Sequence, residues 1–171
     1  MFSGLGGKPV TNTHVARRAQ HGREPCLEIA EPAVDLVRGY VPGAWDMFHI
    51  GHLNILNRAR THCGRLIVGV VTDEALAEMK GRPPIVPLEE RMAIVAAIGI
   101  VDEVVVDFSI NKLEVWERIG FDVLFKGTDW KGTAKGRRLE EQMASVGVRV
   151  HYFPYTETTS STELRRVINS W

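Results

Sequence analysis

Two histidines three residues apart, His49 and His52, stand in the segment GAWDMFHIGH, which covers residues 43–52. They come where an apolar stretch gives way to a helical pattern. At about 100° per residue, the two side chains lie roughly 60° apart around the helix and point the same way. Gly43 allows a sharp turn close to a ligand, and Gly51 removes a side chain between the histidines. A helix N-terminus with two imidazole donors suits a phosphate that gains charge during a reaction.

Two other interpretations of the histidine pair stay open at this point. Paired histidines can bind zinc, although no carboxylate or cysteine stands at ligand spacing and no HExxH is present. They can also be ordinary capping and packing residues.

A run of hydroxyl residues opens the last helical pattern, in TTSSTELRRVI. Ser160 and Glu163 have the spacing of a capping box, which alone is a structural feature. Ser160, Ser161 and Thr162 together add donors at a second helix N-terminus. Because the first and last units of a doubly wound sheet can lie side by side, we expect both helix N-termini to face one triphosphate.

Basic residues follow the second apolar stretch. Lys80 and Arg82 belong to the proline-rich segment KGRPPIVP, which is expected to fold over a polyphosphate or to be a solvated loop. Arg91 follows in LEERM and is expected either to bind the nucleotide or to pair with Glu89 or Glu90 on its own helix.

The segment FKGTDWKG places polar and aromatic residues after another apolar stretch. Gly127 allows close approach of a ligand, Asp129 can accept hydrogen bonds from a base or ribose, and Trp130 can stack on the base or wall a pocket. The alternative is a polar loop with a half-buried tryptophan.

The elements that position these groups alternate along the chain from Asp35 onward. Five apolar stretches are typical of strands buried on both faces: LVRGYVPG, RLIVGVVTD, VDEVVVD, FDVLFKG and VRVHYFP. Helical patterns separate and follow them: LNILNRARTHCG, EALAEM, LEERMAIVAAIG, KLEVWERIG, GRRLEEQMASVG and STELRRVINS. This predicts a single-domain α/β fold, a Rossmann-like, doubly wound, five-stranded parallel sheet. Ligands of such sheets bind beyond the carboxyl ends of the strands.

Composition narrows the class of protein. The chain has 171 residues with 21 basic and 21 acidic side chains, which argues against a general binder of nucleic acids or membrane surfaces. It shows no apolar run of membrane-span length and no signal-peptide pattern. Two cysteines without CxxC spacing favour a reducing cytoplasm. Residues 1–34 lack periodicity and are expected to form a flexible or surface-draped N-terminal extension, or an arm toward a partner subunit, ahead of a domain at 35–171.

These segments, in this order, resemble the cytidylyltransferase-like family of nucleotidyltransferases. GAWD matches its G-x-F-D, HIGH its H-x-G-H, KGTDW its G-D-D-W and TSST its I-S-S/T-T, and the resemblance covers about residues 36–170. The branch most similar contains bacterial enzymes of the glycerol-3-phosphate cytidylyltransferase type. KGRPPIVPLEERM and FKG are also similar to heptose-phosphate adenylyltransferases, so both CTP and ATP stay open as the nucleotide.

The resemblance implies a reaction. A phosphate oxygen of the acceptor attacks the α-phosphorus of a nucleoside triphosphate, and pyrophosphate leaves with Mg²⁺. It implies catalytic roles for His49, His52 and Lys80. It implies nucleotide-binding roles for Gly43, Ala44, Trp45, Gly51, Arg82, Arg91, Gly127, Asp129, Trp130, Ser160, Ser161 and Thr162. Relatives of this type are commonly homodimers, so a homodimer is expected.

The chain departs from the glycerol-phosphate branch at four positions. Gly99 and Tyr155 stand where that branch carries arginines, Thr158 where it carries glycine, and Thr128 where it carries the first aspartate of G-D-D-W. Loss of two phosphate-directed cations indicates a different acceptor, either a phosphate ester or a phosphonate. A nucleotide-binding module without catalysis is the alternative. An NAD-type oxidoreductase is disfavoured because no G-x-G-x-x-G follows the first strand.

Overall fold

A computed structural model describes residues 33–154, 156 and 159–171. Nearly all of the predicted N-terminal extension, and the departures at Tyr155 and Thr158, lie outside the described residues. The division of the chain at residues 34 and 35 therefore stays a prediction. Residues Val34–Leu36 form a short 3₁₀ turn, so the first strand begins two residues later than the apolar pattern predicts.

Five parallel strands form one sheet in the order β3-β2-β1-β4-β5. The strands are β1 (Arg38–Gly43), β2 (Arg65–Val71), β3 (Glu103–Asp107), β4 (Val123–Gly127) and β5 (Arg149–Phe153). Strand β1 pairs with β2 on one side and with β4 on the other, so the sequence turns back across the sheet between β3 and β4. The predicted α/β, doubly wound parallel sheet is confirmed.

In the part of the chain that the structure describes, six α-helices connect and follow the strands. They are α1 (Ile50–Arg60), α2 (Asp73–Lys80), α3 (Leu88–Ala96), α4 (Lys112–Ile119), α5 (Ala134–Ala144) and α6 (Ser161–Ile168). Side-chain caps begin most of them: Thr72, Asn111 and Thr133 each accept a hydrogen bond from a backbone N–H in the first turn of α2, α4 and α5. Within the described part of the chain, no helix has the length and apolarity needed to cross a bilayer.

Apolar side chains fill both faces of the sheet, as the continuous apolar stretches predict. One cluster joins the sheet to α1 and α3 and includes Val41, Leu56 and Val95. The other joins the opposite face to α4 and α5 and includes Tyr40, Val115 and Met143. Cys63 is 2% exposed within the first cluster, where its thiol donates to the carbonyl of Ala59, as expected of a packing residue. With both faces covered, polar groups for chemistry remain at the carboxyl edge of the sheet.

Candidate active site

Among the described residues, three cavities open at the carboxyl ends of the central strands. The main cleft, with a volume of about 360 Å³, lies at the ends of β1, β4 and β5 and at the N-termini of α1 and α6. A narrow pocket of about 30 Å³, the basic niche, adjoins it and shares five lining residues with it: Ala44, Leu76, Lys80, Ser161 and Thr162. The third, the side cavity, has a volume of about 450 Å³ and extends toward α4 and α5.

The main cleft collects most of the residues that the sequence singles out. It is lined by His49, His52, Lys80, Gly43, Ala44, Trp45, Gly51, Gly127, Asp129, Trp130, Ser160, Ser161 and Thr162. Arg82 lines the basic niche instead. Arg91 is fully buried behind the cleft. Two segments more than a hundred residues apart thus meet at one site.

The two histidines begin α1 and hold each other in place. The Nδ1 atom of His49, the N-cap residue, accepts a hydrogen bond from the Gly51 backbone N–H at 3.0 Å. The Nδ1 atom of His52 accepts from the His49 backbone N–H at 3.4 Å, and the ring centroids lie 3.9 Å apart. Since both Nδ1 atoms accept, the proton of each neutral ring belongs on Nε2. Each ring therefore keeps one Nε2–H donor for a ligand.

Burial favours the neutral form of both imidazoles. Burial lowers the pKa of His49. Burial, with smaller contributions from His49 and Lys80, lowers the pKa of His52 to about 3. A neutral donor pair costs less to bury than two imidazolium ions and can still hydrogen-bond to a phosphate oxygen.

Gly51 gives the His49 ring its space. A Cβ atom on Gly51 would lie 2.8 Å from His49 Cε1 and 3.0 Å from its Nδ1, closer than side chains pack. On its other side the same atom would be 3.4 Å from the Thr159 carbonyl oxygen, in the segment that leads into α6. The glycine of HIGH therefore lets α1, its capping histidine and the start of α6 approach one another.

The loop between β1 and α1 has a strained backbone. Trp45 and Met47 both have positive φ values, 56° and 50°, a conformation that residues with side chains rarely adopt. Burial of the Trp45 ring, 2% exposed, offsets this strain, and its Nε1–H donates to the Gly69 carbonyl at 2.8 Å. The backbone of Trp45 can therefore reach a ligand, whereas its ring packs in the core.

Arg91 holds this loop from behind. Its side chain is fully buried and donates to the carbonyls of Ala44 and Val86 and to the carboxylate of Asp73. The pairing with Glu89 or Glu90, the alternative to a nucleotide-binding role, is wrong, because the guanidinium turns inward from α3 to these partners on neighbouring segments. Arg91 lines none of the three cavities, and its contact with the cleft lining runs through the Ala44 carbonyl.

Asp46 joins three segments of the site. Its carboxylate, in a residue 5% exposed, accepts hydrogen bonds from the N–H groups of Ile85 and Val86 and from the Arg165 guanidinium at 2.8 Å. Burial alone raises the pKa of Asp46, but these hydrogen bonds and the Arg165 charge outweigh it and hold that pKa below its usual value. The Asp46 carbonyl also accepts from the Ser161 hydroxyl at 2.8 Å.

Cations surround the basic niche. Lys80, Arg82 and Arg165 line it together with the buried carboxylate of Asp46. Burial lowers the pKa of Lys80, and the neighbouring guanidinium groups add to that effect, while Asp46 opposes it. Three cations against one carboxylate leave an excess of positive charge, as a polyphosphate requires.

The hydroxyl cluster at α6 is less uniform than the sequence suggests. Ser160 caps α6 by accepting from the Glu163 N–H at 3.1 Å. The predicted capping box is only half formed, because the Glu163 carboxylate pairs with Arg166 instead. Ser161 donates to the Asp46 carbonyl, so its proton is engaged within the protein. Thr162 lines both the main cleft and the basic niche.

The end of β4 contributes a lysine that sequence reasoning missed. Lys126 lines both the main cleft and the side cavity, donates to the Pro42 carbonyl at 3.2 Å, and places its ammonium 4.3 Å from the Trp130 ring centroid. Burial and the nearby Lys112 lower the pKa of Lys126 to about 8, against the opposing effect of Asp107 and Asp129.

The sequence holds only partial signals for these missed residues. Asp46 lies inside GAWD and Lys126 inside FKG, but neither motif reveals the partner of its charged residue. Of the two arginines in α6, Arg165 turns inward to Asp46, whereas the Arg166 side chain is 76% exposed.

A sequence model of the Cytidylyltransferase-like family matches residues 40–167. The chain belongs to this family. It is 51% identical over 133 residues to an ethanolamine-phosphate cytidylyltransferase of Arabidopsis thaliana, covering 75% of this chain and 31% of that protein. It is 33% identical over 135 residues to an FAD synthase of Pyrococcus abyssi, covering 77% of this chain and 90% of that protein.

The fold is shared with solved structures at lower identity. A lipopolysaccharide core biosynthesis protein of Thermoplasma volcanium superposes with a TM-score of 0.61 at 21% identity, over 72% of this chain and 99% of that one. The chain spans about a third of the length of the ethanolamine-phosphate cytidylyltransferases that it matches.

Proposed function

We propose that this protein transfers CMP from CTP to a phosphate or phosphonate oxygen of a small acceptor and releases pyrophosphate. An acceptor oxygen forms a bond to the α-phosphorus while the bond between that phosphorus and the bridging oxygen to the β-phosphate breaks. The observation that carries the proposal is the meeting of the histidines of α1 and the hydroxyl-bearing start of α6 in one cleft beside Lys80.

Catalysis on this proposal is mainly alignment and charge stabilisation, because the acceptor oxygen is already anionic. The Nε2–H groups of His49 and His52 donate to the phosphates as charge builds up in the transition state. The α6 N-terminus, with Ser160 and Thr162, supplies further donors. The basic niche, through Lys80 and Arg82, holds the pyrophosphate end.

On this proposal, the nucleoside lies at the β4 end of the main cleft. Asp129 accepts from the base or ribose, Trp130 walls the pocket, and Gly127 allows the backbone to come close. The backbone at Ala44 and Trp45 faces the opposite side of the nucleotide. The acceptor enters from the side cavity, which meets the main cleft at Lys126.

The residues present are compatible with Mg²⁺ carried in by the triphosphate. The described residues include no group of three or more His, Cys, Asp or Glu side chains arranged around a metal site. Mg²⁺ needs few or no protein carboxylates when phosphates and water supply its ligands, so the triphosphate itself would hold the ion. When bound, it would neutralise charge on the phosphates. The homodimer and the cytoplasmic location stay predictions.

Two alternatives have specific support. The FAD synthase relative and the similarity of the KGRPPIVP segment to adenylyltransferases favour ATP as the nucleotide and a sugar phosphate as the acceptor. The ethanolamine-phosphate relatives favour an amine-bearing acceptor. A nucleotide-binding module without catalysis would bind CTP tightly and turn over no acceptor.

Pyrophosphate release, measured with CTP and ATP side by side across phosphorylated polyols, sugars, amines and phosphonates, tests the proposal. We expect release with CTP and a fall in kcat of about 10²–10³ in His49→Ala. His62→Ala is the matched control, because His62 is a histidine outside the three cavities, bonded to the Arg58 carbonyl. Release with ATP alone, or an unchanged kcat in His49→Ala, would contradict the proposal.

A further inference from the structure

The side cavity adjoins the main cleft along a shared lining. Five residues line both: Pro42, Val71, Met79, Lys126 and Trp130. On the proposed function, an acceptor whose phosphate reaches the α-phosphorus in the main cleft extends the rest of its structure, here called its tail, past Lys126 into the side cavity. The groups lining that cavity therefore decide which tails fit.

Positive charge dominates the side cavity. Four basic and two acidic side chains line it: Lys112, Lys126, Lys135, Arg138, Glu78 and Asp107. Glu78, Lys135 and Arg138 are exposed at its rim. An ammonium group entering this cavity meets more cations than carboxylates, and like charges brought together in a partly dry site are costly.

The inner carboxylate is already paired. Asp107 is 1% exposed, and both of its oxygens accept from the Lys112 ammonium at 2.7 Å. Lys112, the first residue of α4, also donates to the Ser109 carbonyl. A ligand ammonium would have to displace a buried lysine in order to use this carboxylate.

The face of the Trp130 ring is likewise already occupied by a lysine of the protein. The Trp130 ring, which could otherwise accept a ligand cation, has the Lys126 ammonium 4.3 Å from its centroid. Neutral polar groups are nearby: the Gln142 side-chain N–H donates to Asn111 Oδ1 at 3.2 Å, which leaves the Gln142 side-chain oxygen to accept from a hydroxyl.

We propose that the side cavity selects acceptors with an uncharged, hydroxyl-bearing tail and rejects acceptors with an ammonium tail. This inference rests on the proposed function, and it separates this chain from the amine acceptor named in its ethanolamine-phosphate relatives. Lys112 and Lys126 are the specificity-determining residues: the first neutralises Asp107 and the second covers Trp130.

Acceptor pairs that differ only by –OH and –NH₃⁺ test the selection. The pairs are 2-hydroxyethyl phosphate with ethanolamine phosphate, 2-hydroxyethylphosphonate with 2-aminoethylphosphonate, and glucose 6-phosphate with glucosamine 6-phosphate. For every pair that is turned over, we expect kcat/KM from pyrophosphate release to be at least about tenfold higher for the hydroxyl member. An equal or higher value for the amine member would overturn the inference and leave the proposed function standing. No release with any acceptor and either nucleotide would overturn the proposed function itself.

Two substitutions locate the selectivity in the side cavity. Lys112→Met frees the Asp107 carboxylate and should raise the amine-to-hydroxyl ratio of kcat/KM about tenfold. If this buried change prevents folding, Arg138→Gln removes a rim cation and should raise the ratio by a smaller factor. Arg137→Gln is the matched control, because Arg137 is its neighbour on α5 but lies outside the lining and donates to the Gly132 carbonyl. A ratio that moves equally in the Arg138 and Arg137 variants would contradict a role for the cavity.

Discussion

Replacement of Gly51 by alanine should separate activity from stability. Gly51 lies in the first turn of α1, and a Cβ added there would lie 2.8 Å from the His49 ring and 3.4 Å from the Thr159 carbonyl oxygen. The methyl group therefore has to push the imidazole away, which breaks the hydrogen bond from the Gly51 N–H to His49 Nδ1. The ring then loses both its position and the contact that keeps its proton on Nε2.

The two effects differ in size. Alanine in place of glycine favours a helix by up to about 1 kcal/mol, and loss of the cap costs about 0.5–2 kcal/mol. Unfolding free energy should therefore change by only about 1 kcal/mol, which is about 2–4 °C in Tm for a chain of this size. Loss of one transition-state donor costs about 10²–10³ in kcat, or about 2.7–4 kcal/mol.

Pyrophosphate release and thermal unfolding of the same preparations measure both quantities. Gly99→Ala is the control, because a Cβ on Gly99 meets nothing within 4 Å. It should keep both kcat and Tm. The reasoning is refuted if Gly51→Ala turns over at the rate of the parent protein, or if its kcat falls only as far as its folded fraction falls.

Four further substitutions probe the groups around the histidines. Because folding lowers the pKa of His52 to about 3, the unfolded chain binds the proton first, so stability is full above about pH 6.5 and is lost as the pH falls toward 3. Between pH 6.5 and pH 5 the unfolding free energy measured with urea should fall by about 2 kcal/mol, and it should fall by less in His52→Gln. An equal fall in the variant would contradict the argument that burial keeps His52 neutral. Arg91→Met should destabilise the fold by roughly 3 kcal/mol or more, because it removes the guanidinium that donates to Asp73 and to two carbonyls. Lys80→Met should lower kcat with little change in urea midpoint. A lower kcat with an unchanged urea midpoint in Arg91→Met would instead indicate that Arg91 binds the nucleotide directly. Asp46→Asn should speed hydrogen exchange at the amides of the segment that follows Lys80 while leaving β2 protected, and unchanged exchange there would show that the carboxylate does not hold that segment.

The fold was predictable because local patterns carry it. Each strand is a short, continuous apolar stretch, and each helix has a recognisable start or stop, such as Thr72 before α2 or Gly120 after α4. The parallel order follows from the alternation. The boundary at β1 was less accurate, since the apolar pattern extends into the 3₁₀ turn at Val34–Leu36.

Of the candidate site, only the residues inside recognisable motifs could be predicted from the sequence. HIGH and TSST indicate two helix N-termini. The expected neighbouring of the first and last strands is wrong, because β4 lies between β1 and β5. The two helix starts meet instead through contacts such as that of Ser161 with Asp46. The inward turn of Arg91 and the links of Asp46 to Arg165 and Ile85 depend on partners far away in the chain, and no local spacing encodes them. No local spacing indicates Lys126 either, because its position between two cavities depends on the fold.

The last helix is attached to the molecule differently from the others. Among the α-helices of the described chain, α6 alone has no buried residue, and its links to the rest of the domain include the polar contacts of Ser161 and Arg165 with Asp46. Because α6 buries little apolar surface, its detachment exposes little such surface to water, so it can detach locally while the sheet stays folded. A polyanion that bridges its first turn to the start of α1 would fasten it, and digestion of the carboxyl terminus by a protease should slow accordingly.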